Sequence, residues 1–140
     1  MKVLIINGPN LNMLGKRPKE HYGSLTLDDI NNLVIKENDN YFDLEFYQSN
    51  YEGDIVTKIQ ESLDCYAIII NPAAYTHTSV AIHDALEMFT GYIVEVHLSK
   101  VDEREDFRKI NFIRDLASMN FCGKFEKSYL EAIEYLKNVK

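Results

Sequence analysis

Short apolar runs separated by longer stretches of helical periodicity confine this chain to an α/β architecture. Residues 2–6, 67–70 and 92–97 are near-continuous apolar runs, as strands covered on both faces require. Residues 42–48 instead alternate, with Phe42, Leu44 and Phe46 on one face and Asp43, Glu45 and Tyr47 on the other. That is the pattern of an edge strand. A final strand is expected near Phe121.

Strands one, three and four in the centre and strand two at an edge fit a flavodoxin-like three-layer sandwich. Its five-stranded parallel sheet has the order 2-1-3-4-5. Helices are expected from Thr26 to about Glu37, with Asp29 completing a capping box, from Glu52 to Leu63, from Thr78 to Phe89, and from about Lys127. Ser99 is placed to cap a short charged helix beginning near Asp102. In such sheets ligands bind beyond the carboxyl ends of the strands, where strands one and three diverge. The search for function therefore narrows to residues 7–23, 71–78 and 97–108.

Composition removes several classes. The chain has 140 residues, the size of one domain, with Lys+Arg 15 against Asp+Glu 22 and a net charge of −7. That balance argues against general binding to nucleic acid or to an anionic membrane. No apolar run is long enough to span a bilayer. Residues 1–8 lack the apolar run and cleavage site of a signal peptide, so a cytoplasmic location is expected. Cys65 and Cys122 are far apart among apolar neighbours and read as two buried thiols, not as a disulfide or a metal site.

Residues 7–23 form a long connection without the glycine spacing of a phosphate cradle, but with Asn10, Arg17 and Tyr22. A solvated loop with an incidental tyrosine accounts for its composition equally well. Residues 71–78 place Asn71 at a strand end and His77 before a helix, where Thr76 or Thr78 could cap the helix and leave His77 exposed. Residues 95–108 say most. Glu95 and His97 are two apart on a strand and share a face, and Arg104 and Arg108 are four apart on the expected helix. A surface helix laced with Asp102, Glu103, Glu105 and Asp106 would explain either arginine alone. His77 and His97 have no third ligand at metal spacing, so cofactor-free acid/base chemistry on a small anion fits best.

Together these stretches resemble the type II 3-dehydroquinate dehydratases over nearly the whole chain. The resemblance rests on Asn7-Gly8-Pro9-Asn10-Leu11-Asn12, Arg17 with Tyr22-Gly23, Gln48-Ser49-Asn50-Tyr51-Glu52-Gly53, Asn71-Pro72 with Thr76-His77-Thr78-Ser79, Glu95-Val96-His97-Leu98-Ser99, and Arg104-Glu105 with Phe107-Arg108. It implies a single catalytic domain over residues 1–140 that converts 3-dehydroquinate to 3-dehydroshikimate. The implied route is anti elimination through an enolate, without metal or cofactor. Tyr22 resembles the base that takes the C2 proton, His97 the acid that protonates the leaving hydroxyl, and Arg17 the lid residue that closes over Tyr22. Asn10 is similar to the asparagine that holds an enolate-stabilising water. Asn71, Leu98 and Ser99 match carboxylate-binding positions, and His77 and Arg108 match contacts to ring hydroxyls. Asp84 matches a contact supplied by a neighbouring subunit, and Glu95 and Arg104 match supporting residues. The resemblance also implies a dodecamer built of trimers.

The chain departs from the family pattern at a few positions. Ala73, Met119 and Phe125 stand where glycines are usual, His83 where arginine is common, Asn111 where serine is frequent, and Pro18-Lys19 where Glu-Pro follows the lid arginine. These bear on the lid, the subunit contacts and the final strand. A free phenol has a pKa near 10, and a phenol acting as base at pH 7 needs about 4 kcal/mol of differential stabilisation. One exposed ion pair cannot supply that, whereas Arg17 and Arg104 in a site closed to water could. A catalytically retired flavodoxin-like binding protein is the other reading, set against the presence of both Tyr22 and His97.

Overall fold

A computed structural model describes residues 1–139. The five strands are β1 (Lys2–Asn7), β2 (Asp43–Gln48), β3 (Ala67–Asn71), β4 (Tyr92–His97) and β5 (Met119–Cys122). They form one sheet of order β2-β1-β3-β4-β5, parallel throughout, as the run pattern requires. The helices are α1 (Lys19–Tyr22), α2 (Leu27–Asn38), α3 (Glu52–Gln60), α4 (Val80–Glu87) and α5 (Lys127–Asn138).

Two apolar layers follow from strand alternation. Val3, Ile5, Ala67, Ile69, Val94 and Val96 face α2 and α5, joined by Ile30, Val34, Tyr129 and Ile133. Leu4, Ile6, Ile68, Ile70 and Ile93 face α3 and α4, joined by Ile55, Ile59, Ile82 and Leu86. Strand β2, at the edge, is only half-buried.

Local signals explain most helix starts. Thr26 Oγ1 accepts from the Asp29 N–H at 3.1 Å and Asp29 Oδ2 accepts from the Thr26 N–H at 3.0 Å, which completes the expected capping box of α2. For α4 the cap is Ser79, whose Oγ accepts from the Ile82 N–H at 2.9 Å; neither Thr76 nor Thr78 caps it. Helix α3 ends at Gln60 instead of Leu63, because turns closed by Ser62 N–H on Ile59 and Cys65 N–H on Ser62 redirect the chain into β3.

The largest departure lies after β4. The single charged helix expected from Asp102 is two 3₁₀ turns, Val101–Glu103 and Asp106–Lys109, separated by Arg104 in an extended conformation. Ser99 does not cap it; its Oγ instead accepts from Arg104 at 3.3 Å. The run has too few apolar residues to bury a helical face, and its side chains are drawn to the site. Cys65 is buried as expected, but Cys122 is half-buried and lies 3.6 Å from an Arg114 nitrogen. No helix among the described residues is long and apolar enough to cross a membrane.

Candidate active site

The carboxyl ends of β1, β3 and β4 open into a cavity of about 120 Å³. Its geometry begins with close backbone approach at the switch point. A Cβ on Gly8 would lie 2.5 Å from the Pro72 carbonyl oxygen, so only glycine lets the chain leave β1 there. Residues 7–23 then fold back across the sheet end as a 3₁₀ turn (Leu11–Met13) followed by α1, instead of a solvated loop. Leu11, Leu14 and Tyr22 are buried in the α2/α5 layer, which fastens the segment down.

That fastening delivers the phenol. Tyr22 is 9% exposed, and its oxygen accepts from Arg17 Nη2 at 2.7 Å and from Arg104 Nη1 at 2.8 Å. The Arg17 guanidinium carbon also lies 3.6 Å from the ring centroid. The extended backbone at Arg104 turns its side chain inward, which a helix with Arg104 and Arg108 on one outer face would not do. Burial, reinforced by the charges of Arg104 and Arg108, pushes the Arg17 guanidinium below its usual range, against the pull of Tyr22.

Opposite sits His97. Its Nε2–H donates to Glu95 Oε2 at 2.6 Å, which leaves Nδ1 as the ring nitrogen without that partner. Glu95 is fully buried, and both its oxygens are engaged: Oε2 also accepts from Asn111 Nδ2 at 2.7 Å, and Oε1 accepts from Arg114 Nε. Burial pushes this carboxyl up, but hydrogen bonds from His97, Arg114 and Asn111 and the charge of His97 outweigh it, bringing the pKa down to about 2. Arg114 and Asn111 as partners of Glu95 carried no signal in the sequence. Asn111 Oδ1 also accepts from the Ile113 and Arg114 N–H groups and so shapes the turn that presents Arg114.

His77 is buried, not exposed, and its Nδ1 lies 2.6 Å from the Ile110 carbonyl oxygen, leaving Nε2 free as an acceptor. Burial, opposed by the Ile110 carbonyl and reinforced by nearby positive groups, pushes its imidazole below the ordinary range, so the neutral ring is favoured. Asn71, Leu98, Ser99 and Arg108 also border the cavity, and Asn10, in a left-handed conformation at φ 70°, stands at its rim. Arg108 is held by Glu105. Ten of the twelve expected residues thus meet around one space; Glu95 stands behind His97. Asp84 lies apart, exposed on α4, with Oδ1 3.2 Å from His83. Among the described residues, the cluster able to approach a cation is His83, Asp84 and Glu87, on that helix and not in the cavity.

Two of the departures from glycine keep a glycine's conformation. Ala73 and Phe125 both have φ 53°, whereas Met119 lies in ordinary strand backbone. One residue the sequence reading missed is Tyr129 of α5. Its hydroxyl, deep beneath the cavity, donates to Asn7 Oδ1 at 2.5 Å and accepts from Asn71 Nδ2 at 2.9 Å. Nothing in the sequence marks it; the pairing of Asn7 with Asn71 in register, on the face that α5 covers, shows only in the structure.

Comparison with known proteins agrees with this geometry. Residues 1–137 match the family described as dehydroquinase class II. A 3-dehydroquinate dehydratase of Francisella tularensis subsp. novicida is 48% identical over 97% of both chains. The crystal structure of type II dehydroquinase from Butyrivibrio crossotus superposes with a TM-score of 0.94 at 42% identity, covering 99% of this chain and 98% of that one. The corresponding structure from Propionibacterium acnes gives a TM-score of 0.93 at 32% identity, covering 99% and 97%.

Proposed function

The chain belongs to the class II dehydroquinase family, and on that premise we propose which of its residues perform the dehydration of 3-dehydroquinate and how. The enzyme is a hydro-lyase of the shikimate pathway. Tyr22, as phenolate, takes a proton from C2 and leaves an enolate. His97, as imidazolium, gives a proton to the C1 hydroxyl, which departs as water. The C2–H electron pair enters the enolate and then forms the new C=C bond as the C–O bond breaks. The cycle closes when a proton returns from the phenol to the imidazole through solvent.

The observation that carries this assignment is the pair of guanidinium hydrogen bonds on one phenolic oxygen, in the same cavity as a histidine held by a buried carboxylate. Tyr22 oxygen is an acceptor in both bonds, as a phenolate would be, and cationic donors in a water-poor site are the strong ones. Glu95 holds His97 in one ring orientation through the Nε2–H hydrogen bond. Asn10 holds a water against the enolate oxygen. Asn71, Leu98 and Ser99 receive the carboxylate, and His77 and Arg108 receive the ring hydroxyls.

The same reading treats residues 1–140 as one catalytic unit in a cytoplasmic dodecamer of trimers, with Asp84 reaching a neighbour's site. Support comes from Asp84 lying away from its own cavity, on a helix that also exposes Val80, with Met88 exposed just past its end. An absorbance assay for the enone product, run on wild type and on Tyr22→Phe, tests the chemistry. Product from the wild type and loss of at least about 10³-fold in the variant is expected; full turnover by Tyr22→Phe would remove the phenol from the mechanism.

A further inference from the structure

The Asn71 amide is held at both ends, by Tyr129 and by the backbone at Ala73. An amide nitrogen can only donate, so the Tyr129 oxygen accepts from Asn71 Nδ2, and its single proton goes to Asn7 Oδ1. On its other side, Asn71 Oδ1 accepts from the Ala73 N–H at 3.1 Å. Both ends of the amide are thereby committed, and one Nδ2 hydrogen is left over. Asn71 borders the cavity beside Leu98 and Ser99, where that hydrogen is a donor for an anion. Flipping the amide would turn Nδ2 toward the Ala73 N–H, donor against donor in a buried place, and would take from Tyr129 the amide hydrogen it accepts.

We propose that Tyr129 is a positioning residue which, acting through Asn71, presents an amide N–H to the carboxylate of the substrate. This rests on the reading of Asn71 as a carboxylate-binding position. Burial pushes the Tyr129 phenol above its ordinary range, against the Asn71 hydrogen bond, so the proton on which the arrangement depends stays in place. The sheet end thus carries two tyrosines in opposite settings, Tyr22 met by guanidinium groups and Tyr129 by amides.

Carboxylate binding acts on substrate and transition state alike, so its loss appears in KM. A double-mutant cycle with 3-dehydroquinate as the probe isolates the route through Asn71. Tyr129→Phe is expected to raise KM on the order of tenfold with kcat within about threefold. In an Asn71→Ala background the same change is expected to move KM less than about twofold. A fall in melting temperature alone, with KM unchanged, would overturn the proposal, as would an equal KM rise in both backgrounds. Should Tyr129→Phe not fold, Asn7→Ala takes its place in the cycle. By freeing the Tyr129 proton it should raise KM several-fold in the wild-type background and not in Asn71→Ala; no rise overturns the proposal. Failure of the functional reading is distinct: wild type would then form no enone, whereas failure of this inference leaves wild-type turnover intact.

Discussion

Arg17 closes over Tyr22, donating to its hydroxyl oxygen at 2.7 Å with the guanidinium carbon 3.6 Å from the ring centroid. The residues proposed as lid and base are therefore in contact, and Arg104 completes the pair of donors from the other wall. Arg17→Ala should lower kcat at neutral pH by about 10²-fold or more, since a phenol deprived of one donor is a poor base there. Steady-state kinetics of the variant check this, and full turnover at neutral pH would refute it.

Glu95 gives a stability prediction with a definite sign. Its carboxyl titrates near pH 2 in the folded chain, against 4.5 ordinarily. A depressed folded value means that stabilisation is fully present above the unfolded pKa and is lost as pH falls through the folded one. The window is therefore about pH 4.5 down to 2, and the stake is about 3 kcal/mol. Glu95→Gln replaces an acceptor oxygen with a donor facing His97, Asn111 or Arg114 and should cost about 3 kcal/mol or more at pH 7. Its urea midpoint should depend less on pH across that window than the wild type's.

The strands were legible because burial on two faces writes a continuous apolar run, and α2 because Thr26 and Asp29 form a capping box visible at fixed spacing. Residues 101–109 were not, because helical spacing of Arg104 and Arg108 is a local pattern. Their conformation answers to Tyr22, 82 positions away from Arg104, and to Glu105. Tyr129 was hidden differently. With Ala132, Ile133 and Leu136 it falls on a plain apolar stripe, and only the partner of its one polar atom distinguishes it from core. Arg114 is similar: nothing in its neighbours says that Glu95 lies behind it.

Ala73 and Phe125 separate conformation from packing. Both sit at φ 53°, where an L side chain is strained by about 1 kcal/mol. Ala73→Gly should raise stability by up to about 1 kcal/mol, as relief of strain exceeds the added chain entropy. Phe125→Gly relieves the same strain but removes the ring that lies over Gly23, and its net effect should be destabilising. Thermal melts of the two variants should therefore shift in opposite directions.

Asp84 is exposed on α4, while Tyr22 is held inside its own chain's cavity, so the two can be tested for service to one site from different subunits. Asp84→Ala and Tyr22→Phe should each be impaired alone, the first through the neighbour's site and the second through its own. Co-refolded in equal amounts into the proposed trimer, they would give some sites an intact Tyr22 and an adjacent intact Asp84. Random mixing places both in about a quarter of sites. Activity of the mixture should then exceed the sum of the separate variants and rise with the fraction of mixed trimers. If Asp84 served only its own chain, or none, no combination of the two would supply what either lacks, and the mixture would equal the average of its parts.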